Sequence, residues 1–422
     1  MHSVTNAIPT GTIASIPAKA HAHRALICAA LANSPSTILL SRTSKDIDAT
    51  MDSLRGLGAH VVYKNKIVTV TPGPAPAKGN VVPHESGTTL RLLLPVAASI
   101  CNDVDVDAKG RLPDRPLEPM LGEMKAHGVT FSQDKPPFTM TGRLQGGNFS
   151  MVGDVSSQFF SGLLLAAPQI GLSTITSTTP LQSSDYVTLT TETMRDFGVE
   201  VEHTLPDRNI NEAFTVPFGA SFIGRDNYQI EGDWSNAAIW MVAAGMTGKP
   251  ITITGMNKNS VQADRRIMQV MIDAGCDVVW DGMNVTVTGR ASKPIHADLE
   301  QMPDMLPVMA ALACSISGES SFVKGARLRL KESDRLVAVA NLIRDFGGTV
   351  CEEGDDLYII GSGILKGGHG DCVNDHRLVM AGTLMALISE NPVTLQDSEA
   401  ITKSYPDFFE DWNLLGGNAQ PV

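Results

Sequence analysis

Thr193-Met-Arg-Asp-Phe-Gly198-Val-Glu-Val returns almost unchanged as Leu342-Ile-Arg-Asp-Phe-Gly347-Gly-Thr-Val. Both read as an amphipathic segment, a glycine, and then a β-prone alternation. The same pattern stands at Asp52-Ser-Leu-Arg-Gly-Leu-Gly58-Ala-His-Val, Leu121-Gly-Glu-Met-Lys-Ala-His-Gly128-Val-Thr and Val270-Met-Ile-Asp-Ala-Gly275-Cys-Asp-Val, and in degenerate form up to Gly416. Successive glycines lie 69 to 77 residues apart, so six units of about seventy residues account for nearly all of the 422-residue chain. Each glycine predicts a helix C-cap and each following alternation a strand.

Ahead of most capped helices lies a second helical stretch that is apolar almost all round. These stretches cover residues 21–32, 86–101, 156–170, 235–248, 304–317 and 375–390. A helix without a polar face belongs inside a protein. The expected class is therefore α/β: repeated units with buried parallel helices and outer sheets, an inverse α/β barrel-like arrangement. At 44.9 kDa the chain exceeds one compact domain, and two are expected.

The first turns of the buried helices carry polar or charged residues: Lys19 and Arg24, Gly87 and Arg91, Ser156-Ser157-Gln158, Ser235-Asn236, Asp304, and Asp375-His376-Arg377. Parallel helices in a repeat fold bring their N-termini together, where free N–H groups and the helix dipoles favour an anion. Ser, Asn and Asp also serve as ordinary caps. Capping does not account for the Lys and Arg residues, which the dipole disfavours there.

Composition bounds the partners. The 45 acidic and 33 basic residues give a formal charge of −12, which argues against bulk binding of nucleic acid or acidic membrane. Hydrophobic residues make up 43% and charged ones 18%, a globular balance. The six cysteines are scattered, without a C-x-x-C pair, and read as buried reduced thiols. His21 and His23 are two apart on a helix and point apart, so no metal is expected. The start of the sequence lacks a basic segment followed by an apolar run, and stretches such as 90–100 are too short to span a bilayer. A soluble cytoplasmic protein is the expectation.

The same segments resemble the 5-enolpyruvylshikimate-3-phosphate synthases, over residues 13–410. Lys19-Ala-His-Ala-His-Arg24 and Ser86-Gly87-Thr-Thr-Leu-Arg91 look like that family's first two substrate loops. Leu112-Pro-Asp-Arg115-Pro, Asp154-Val-Ser156-Ser157-Gln158 and Glu231-Gly-Asp233 follow in family order. So do Leu330-Lys331-Glu332-Ser-Asp334-Arg335, Asn374-Asp375-His376-Arg377 and Thr402-Lys403-Ser-Tyr-Pro-Asp407.

The resemblance implies two domains of three units each, residues 1–16 plus 232–422 and residues 17–231, with the active site between them. It implies transfer of the enolpyruvyl group of phosphoenolpyruvate to the 5-hydroxyl of shikimate 3-phosphate, through addition and then elimination of phosphate, with no cofactor and a monomeric enzyme. On that reading Gly87, Arg115, Arg335, Arg377 and Lys403 hold phosphoenolpyruvate, whose phosphate and carboxylate suit Arg forks. Arg24, Ser156, Ser157, Gln158, Ser183, Tyr186, Arg327 and Lys331 hold shikimate 3-phosphate. Asp304 is the candidate base at the attacking hydroxyl, Glu332 the proton carrier at the methylene carbon, and Lys19 the group that stabilises developing charge. His376 is a secondary candidate that orients its neighbours. Arg335 is also placed to be an ordinary i,i+3 partner of Glu332. Gly87 leaves room for glyphosate, so some sensitivity is expected.

The sequence departs from the family at several points. Lys-Ser of the first loop is Lys19-Ala20, and Asn-Ala-Gly is Glu85-Ser86-Gly87, which sets a carboxylate near an anion site. Arg327 stands where Asn is usual, Leu92 where Pro is usual, and Ser-Lys-Pro-Tyr reads Ser183-Ser184-Asp185-Tyr186. Two alternatives follow: an enolpyruvyl transferase for another acceptor, such as a nucleotide or nucleotide sugar, and a non-catalytic anion-binding homologue.

Overall fold

The computed structural model describes residues 1–207 and 211–422. Two compact units are formed: a flanking unit of Met1–Ile16 with Glu231–Val422, and an inserted unit of Pro17–Ile230. Glu231 falls with the flanking unit, where its carboxylate accepts from Asn257, Ser260 and Gln262 at 2.8 to 3.0 Å.

Among the described residues, each unit contains three four-stranded sheets of one repeated topology. In the inserted unit, Ser36–Leu39 pairs in parallel with Tyr228–Gln229 and antiparallel with Ile67–Thr71, which pairs antiparallel with His60–Lys64. Alternation fixes the faces: Val68 and Val70 point into the core, while Thr69 between them is exposed. In the flanking unit, the terminal segments complete two sheets. Gly11–Ala14 pairs in parallel with Ile251–Thr254, and His2–Val4 lies antiparallel between Val393–Gln396 and Ala419–Pro421.

The six recurrent glycines do what their position demands. Gly58, Gly128, Gly198, Gly275, Gly347 and Gly416 all take φ between 81° and 104°, beyond the reach of most L side chains. At the first of them Gly58 N–H donates to Arg55 at 3.1 Å and Ala59 N–H to Leu54 at 3.0 Å, the paired bonds of a Schellman end. Those two bonds satisfy carbonyls that a helix end otherwise leaves open, and they turn the chain into the next strand.

The buried helices run Lys19–Ala30, Gly87–Ile100 and Ser157–Ile170 in the inserted unit, and Trp234–Thr247, Leu306–Cys314 and His376–Ala386 in the flanking one. Leu90, Leu92, Leu93 and Leu94 are all fully buried, so this helix has no solvent face. Each such Leu contributes about 1.5–3 kcal/mol relative to exposure. Two expected helices are shorter than their apolar runs suggest: the stretch 375–390 is α-helical only over His376–Ala386, and the other departs at its start. Residues 304–317 form a 3₁₀ turn at Pro303–Met305 and an α-helix only over Leu306–Cys314. Pro307 supplies no N–H for the first turn, and Asp304 therefore sits in the 3₁₀ turn rather than at a helix cap. Among the described residues no helix is long and apolar enough to cross a membrane.

Gly162 positions part of the site. A Cβ there would fall 2.5 Å from the Arg91 carbonyl oxygen and 3.3 Å from Leu92 Cα. Its absence lets the Gly87–Ile100 and Ser157–Ile170 helices approach closely, and their first turns become neighbours.

Candidate active site

The inserted unit gathers hydroxyls, amides and cations at its helix starts. Ser86 and Ser156 are N-caps whose Oγ atoms accept from Thr89 N at 3.2 Å and Gln158 N at 3.3 Å. Arg91 donates to Gln158 Oε1 at 3.2 Å, and Gln158 donates in turn to Thr88 Oγ1 at 2.9 Å. The Arg115 guanidinium lies directly against Gly87: a Cβ at that glycine would come within 2.9 Å of Arg115 Cζ. The carboxyl of Glu85 packs on Gly110, where a Cβ would fall 2.9 Å from Glu85 Cδ. Ser157 and Ser183 are buried, and Ser183 sits at φ 54°, a left-handed position unusual for Ser.

Lys19 pairs with Asp46 at 2.7 Å, with both side chains partly exposed. Arg24 is different: only 1% exposed, it donates to Thr190 Oγ1 and the Ala20 carbonyl at 2.7 Å each, to the Tyr186 carbonyl at 2.9 Å and to Ser161 Oγ at 3.2 Å. Burial pushes its pKa down to about 10, so it stays cationic at neutral pH. In this structure the guanidinium is held by the protein itself, and it fixes Tyr186 through its backbone. His21 donates towards the hydroxyl of Tyr228 at 2.8 Å, which itself donates to Asp196. Burial, then the charge of Arg24, brings His21 down to about 4. His23 faces Thr50 instead, so the two imidazoles serve separate networks.

The flanking unit concentrates opposite charges around one residue. Arg335, 1% exposed, donates Nη1 to Asp304 at 2.7 Å, Nη2 to Glu332 at 2.6 Å and Nε to Asp375 at 2.8 Å. The i,i+3 contact with Glu332 is thus one arm of a buried network rather than a surface pair. Lys331 adds a second cation to Asp304 at 3.0 Å. Burial by itself would raise the Asp304 carboxyl, but Lys331, Arg335 and Arg377 outweigh it and hold the group far below the usual carboxylate range. Burial likewise works against the Arg335 charge and is overcome by Asp375, Glu332 and Asp304. Desolvation lowers Lys331, with Asp304 opposing it.

Asp375 is the anchor that sequence reading left without a role. Fully buried at the start of the His376–Ala386 helix, it accepts from Arg377 N, Ser333 Oγ and Arg335. The signal available was an Asp two residues ahead of Arg377 at a helix start, which a cap explains equally well. Just before it, Val373 and Asn374 take φ of 43° and 54°, a strained pair that Lys403 clasps by donating to the Asn374 carbonyl at 2.8 Å. His376 is buried, with Nδ1 3.8 Å from Asp375. Arg377 donates Nη1 to the Ser235 carbonyl at 3.0 Å, while its buried Nε has no acceptor among the described residues. Ser235 Oγ bonds Asp264, another residue that sequence reading passed over, and burial beside Asp304 pushes Asp264 up to about 6. Arg327 is partly buried on the 3₁₀ turn Ala326–Leu330 that leads into Lys331.

The flanking unit can hold anions with Arg377, Lys403 and Lys331. It can also hold a hydroxyl on Asp304 and move a proton through Glu332. The inserted unit offers helix N–H groups, hydroxyls, Lys19 and Arg115. A substrate bearing two acidic groups and an alcohol acceptor fit these functions.

Comparison with known proteins points the same way. The model of the EPSP synthase (3-phosphoshikimate 1-carboxyvinyltransferase) family matches residues 7–412. A 3-phosphoshikimate 1-carboxyvinyltransferase of Clostridium kluyveri is 36% identical over 412 residues, 96% of this chain and 95% of that protein. The protein of the same name from Methanocorpusculum labreanum is 34% identical over 97% of each chain. An EPSP synthase structure from Acinetobacter baumannii superimposes with a TM-score of 0.80 at 23% identity, covering 100% of this chain and 99% of that one, which shows a shared fold. The chain therefore belongs to the EPSP synthase family and is a transferase of the 3-phosphoshikimate 1-carboxyvinyltransferase kind.

Proposed function

We propose that the chain transfers the enolpyruvyl group of phosphoenolpyruvate to the 5-hydroxyl of shikimate 3-phosphate and releases phosphate, a step of aromatic amino-acid biosynthesis. The observation that carries the reading is the pair of carboxylates, Asp304 and Glu332, held by one buried guanidinium with Lys331 alongside. Asp304 stays ionised and accepts the 5-hydroxyl. Its depressed pKa makes it a weak base that first orients the hydroxyl and takes its proton only as the oxygen adds to C2, when that oxygen becomes strongly acidic. Glu332 delivers a proton to C3, giving a tetrahedral intermediate with a methyl group. Phosphate then leaves C2 as the Glu332 carboxylate takes a proton back from C3. Lys19, Arg115, Arg335, Arg377 and Lys403 neutralise the phosphate and carboxylate of phosphoenolpyruvate. Each ligand anion that Arg335 takes weakens its hold on a carboxylate, so binding readies Glu332. Arg24, Ser156, Ser157, Gln158, Ser183, Tyr186, Arg327 and Lys331 seat shikimate 3-phosphate, Arg24 by fixing Tyr186.

The two units serve as the domains of a monomeric, cytoplasmic enzyme. The six free thiols, five of them buried, suit a reducing compartment. Phosphate release from phosphoenolpyruvate, measured with shikimate 3-phosphate, with a nucleotide sugar and with no acceptor, tests the proposal. Release only with shikimate 3-phosphate supports it; release with the nucleotide sugar alone transfers the reaction to the other acceptor. No release from folded protein leaves a non-catalytic anion binder.

A further inference from the structure

A chain of four buried groups runs from the core of the inserted unit to the start of the Gly87–Ile100 helix. His23 Nδ1 lies 2.6 Å from Thr50 Oγ1, which lies 2.7 Å from Thr89 Oγ1, which lies 2.8 Å from Ser86 Oγ. His23, Thr50 and Thr89 are fully buried and Ser86 is 2% exposed. The other ring nitrogen of His23, Nε2, is buried with no partner among the described residues.

The directions of these bonds follow from what burial forbids. A proton on Nε2 would be an orphaned buried donor, which folded proteins avoid more strictly than an unused acceptor. The proton therefore sits on Nδ1 and is donated to Thr50. Thr50 must then donate onward to Thr89. Thr89 has one proton and two acceptors in reach, Ser86 Oγ at 2.8 Å and the Asp46 carbonyl at 3.3 Å, and the shorter bond takes it. Ser86 Oγ already accepts from Thr89 N at 3.2 Å. Both its acceptor places are filled from inside, and its own proton has no acceptor among the described residues. That donor sits beside Gly87, on which the Arg115 guanidinium lies.

We propose that Ser86 is a further binding residue, donating its hydroxyl proton to the phosphoenolpyruvate anion held at Gly87 and Arg115, and that His23 is a positioning residue whose Nδ1–H tautomer polarises the Thr50–Thr89–Ser86 chain in that direction. The inference rests on the substrate assignment given under Proposed function. Burial, followed by the charges of Lys19 and Arg24, holds the His23 imidazole neutral, which keeps the relay in one sense at working pH. The network also ties Lys19 to the helix start, since Asp46 pairs with Lys19 and its carbonyl lies beside Thr89.

The test combines one spectroscopic and one kinetic reading on the full chain. Nitrogen-15 imidazole NMR is expected to show His23 as the neutral Nδ1–H tautomer throughout the neutral pH range. Ser86→Ala is expected to raise KM for phosphoenolpyruvate about tenfold, the worth of one hydrogen bond to a charged acceptor, with kcat and KM for shikimate 3-phosphate little changed. His23→Leu, which removes the donor, is expected to reproduce that KM shift. His23→Asn places an amide N–H where Nδ1 stood and is expected to restore it. Circular dichroism and Tm confirm that each variant is folded. An Nε2–H tautomer or a cationic imidazole overturns the relay, as does a Ser86→Ala enzyme with unchanged KM for phosphoenolpyruvate. The tautomer reading needs no turnover, so an inactive wild type would refute the substrate assignment while the relay is still decided by NMR.

Discussion

The inserted and flanking units share sheet topology and a set of three buried helices, yet their helix starts are furnished in opposite ways. The inserted unit sets its buried arginines, Arg24 and Arg91, mainly against neutral groups, with Lys19–Asp46 as an ion pair at its edge. Hydroxyls of Ser86, Thr89, Ser156 and Ser161 and the amide of Gln158 do the local bonding, and Arg24 is absorbed by four neutral acceptors. The flanking unit is built on charge, with Asp304, Glu332 and Asp375 crowded on Arg335 and Lys331 beside them. A neutral set binds without changing protonation state, whereas a charged set can hold and pass a proton. On the proposed function, one repeat geometry accommodates a seat for substrate in one unit and acid–base chemistry in the other.

The largest effect should come from removing the hub of the charged unit. Arg335→Met leaves three carboxylates without their shared cation, and we expect a loss of about 3–5 kcal/mol in denaturant unfolding together with loss of turnover. If stability hardly moves, the carboxylates are not held as described. Glu332→Gln keeps the pairing of Arg335 with Asp304 and Asp375, so the fold should survive while kcat falls about 10²- to 10⁴-fold. The neutral unit should answer in the opposite sense. Arg24→Met removes the shared donor of Thr190, Ser161 and the Ala20 and Tyr186 carbonyls, and should lower stability by about 1–3 kcal/mol and raise KM for shikimate 3-phosphate, with the smaller loss in kcat. A kcat collapse as deep as that of Glu332→Gln would erase the contrast.

Two smaller effects sharpen it. Asp264 titrates near 6 in the fold against 3.8 when unperturbed, because burial penalises its charge and Asp304 adds to the penalty. The folded chain thus keeps a proton that the unfolded chain has lost, and Asp264 makes stability fall as pH rises from 3.8 towards about 6. Asp264→Asn should remove that part of the slope in a Tm-versus-pH series; an unchanged slope would assign it elsewhere. Gly87→Ala pushes on the mobile end of Arg115, so Tm should barely change while KM for phosphoenolpyruvate rises about fivefold, equivalent to about 1 kcal/mol.

Much of the fold was legible because its repeat depends on a backbone conformation few residues tolerate. Gly58, Gly128, Gly198, Gly275, Gly347 and Gly416 mark six helix ends, and the apolar runs ahead of them mark the buried helices. The exceptions were local: Pro307 delayed the start of the fifth buried helix, and the sixth ends at Ala386 although the apolar run continues, effects that an apolar count does not register. The candidate residues were legible by motif, but their partners were not. Arg335 meets Asp304 and Asp375 from segments 31 and 40 residues away, and Asp264 meets Ser235 across 29. The state of Arg24 shows the same gap, since an arginine with four protein acceptors and one open to solvent look alike in sequence.

The addition–elimination chemistry assigned to Glu332 is tested most directly by running the reaction in heavy water with phosphoenolpyruvate and shikimate 3-phosphate and reading deuterium at C3 of the product. Protonation of C3 makes a transient methyl group, so the account predicts deuterium in the product methylene of wild type and a matching loss of turnover and label in Glu332→Gln. Product formed at the normal rate with no deuterium at C3 would contradict it.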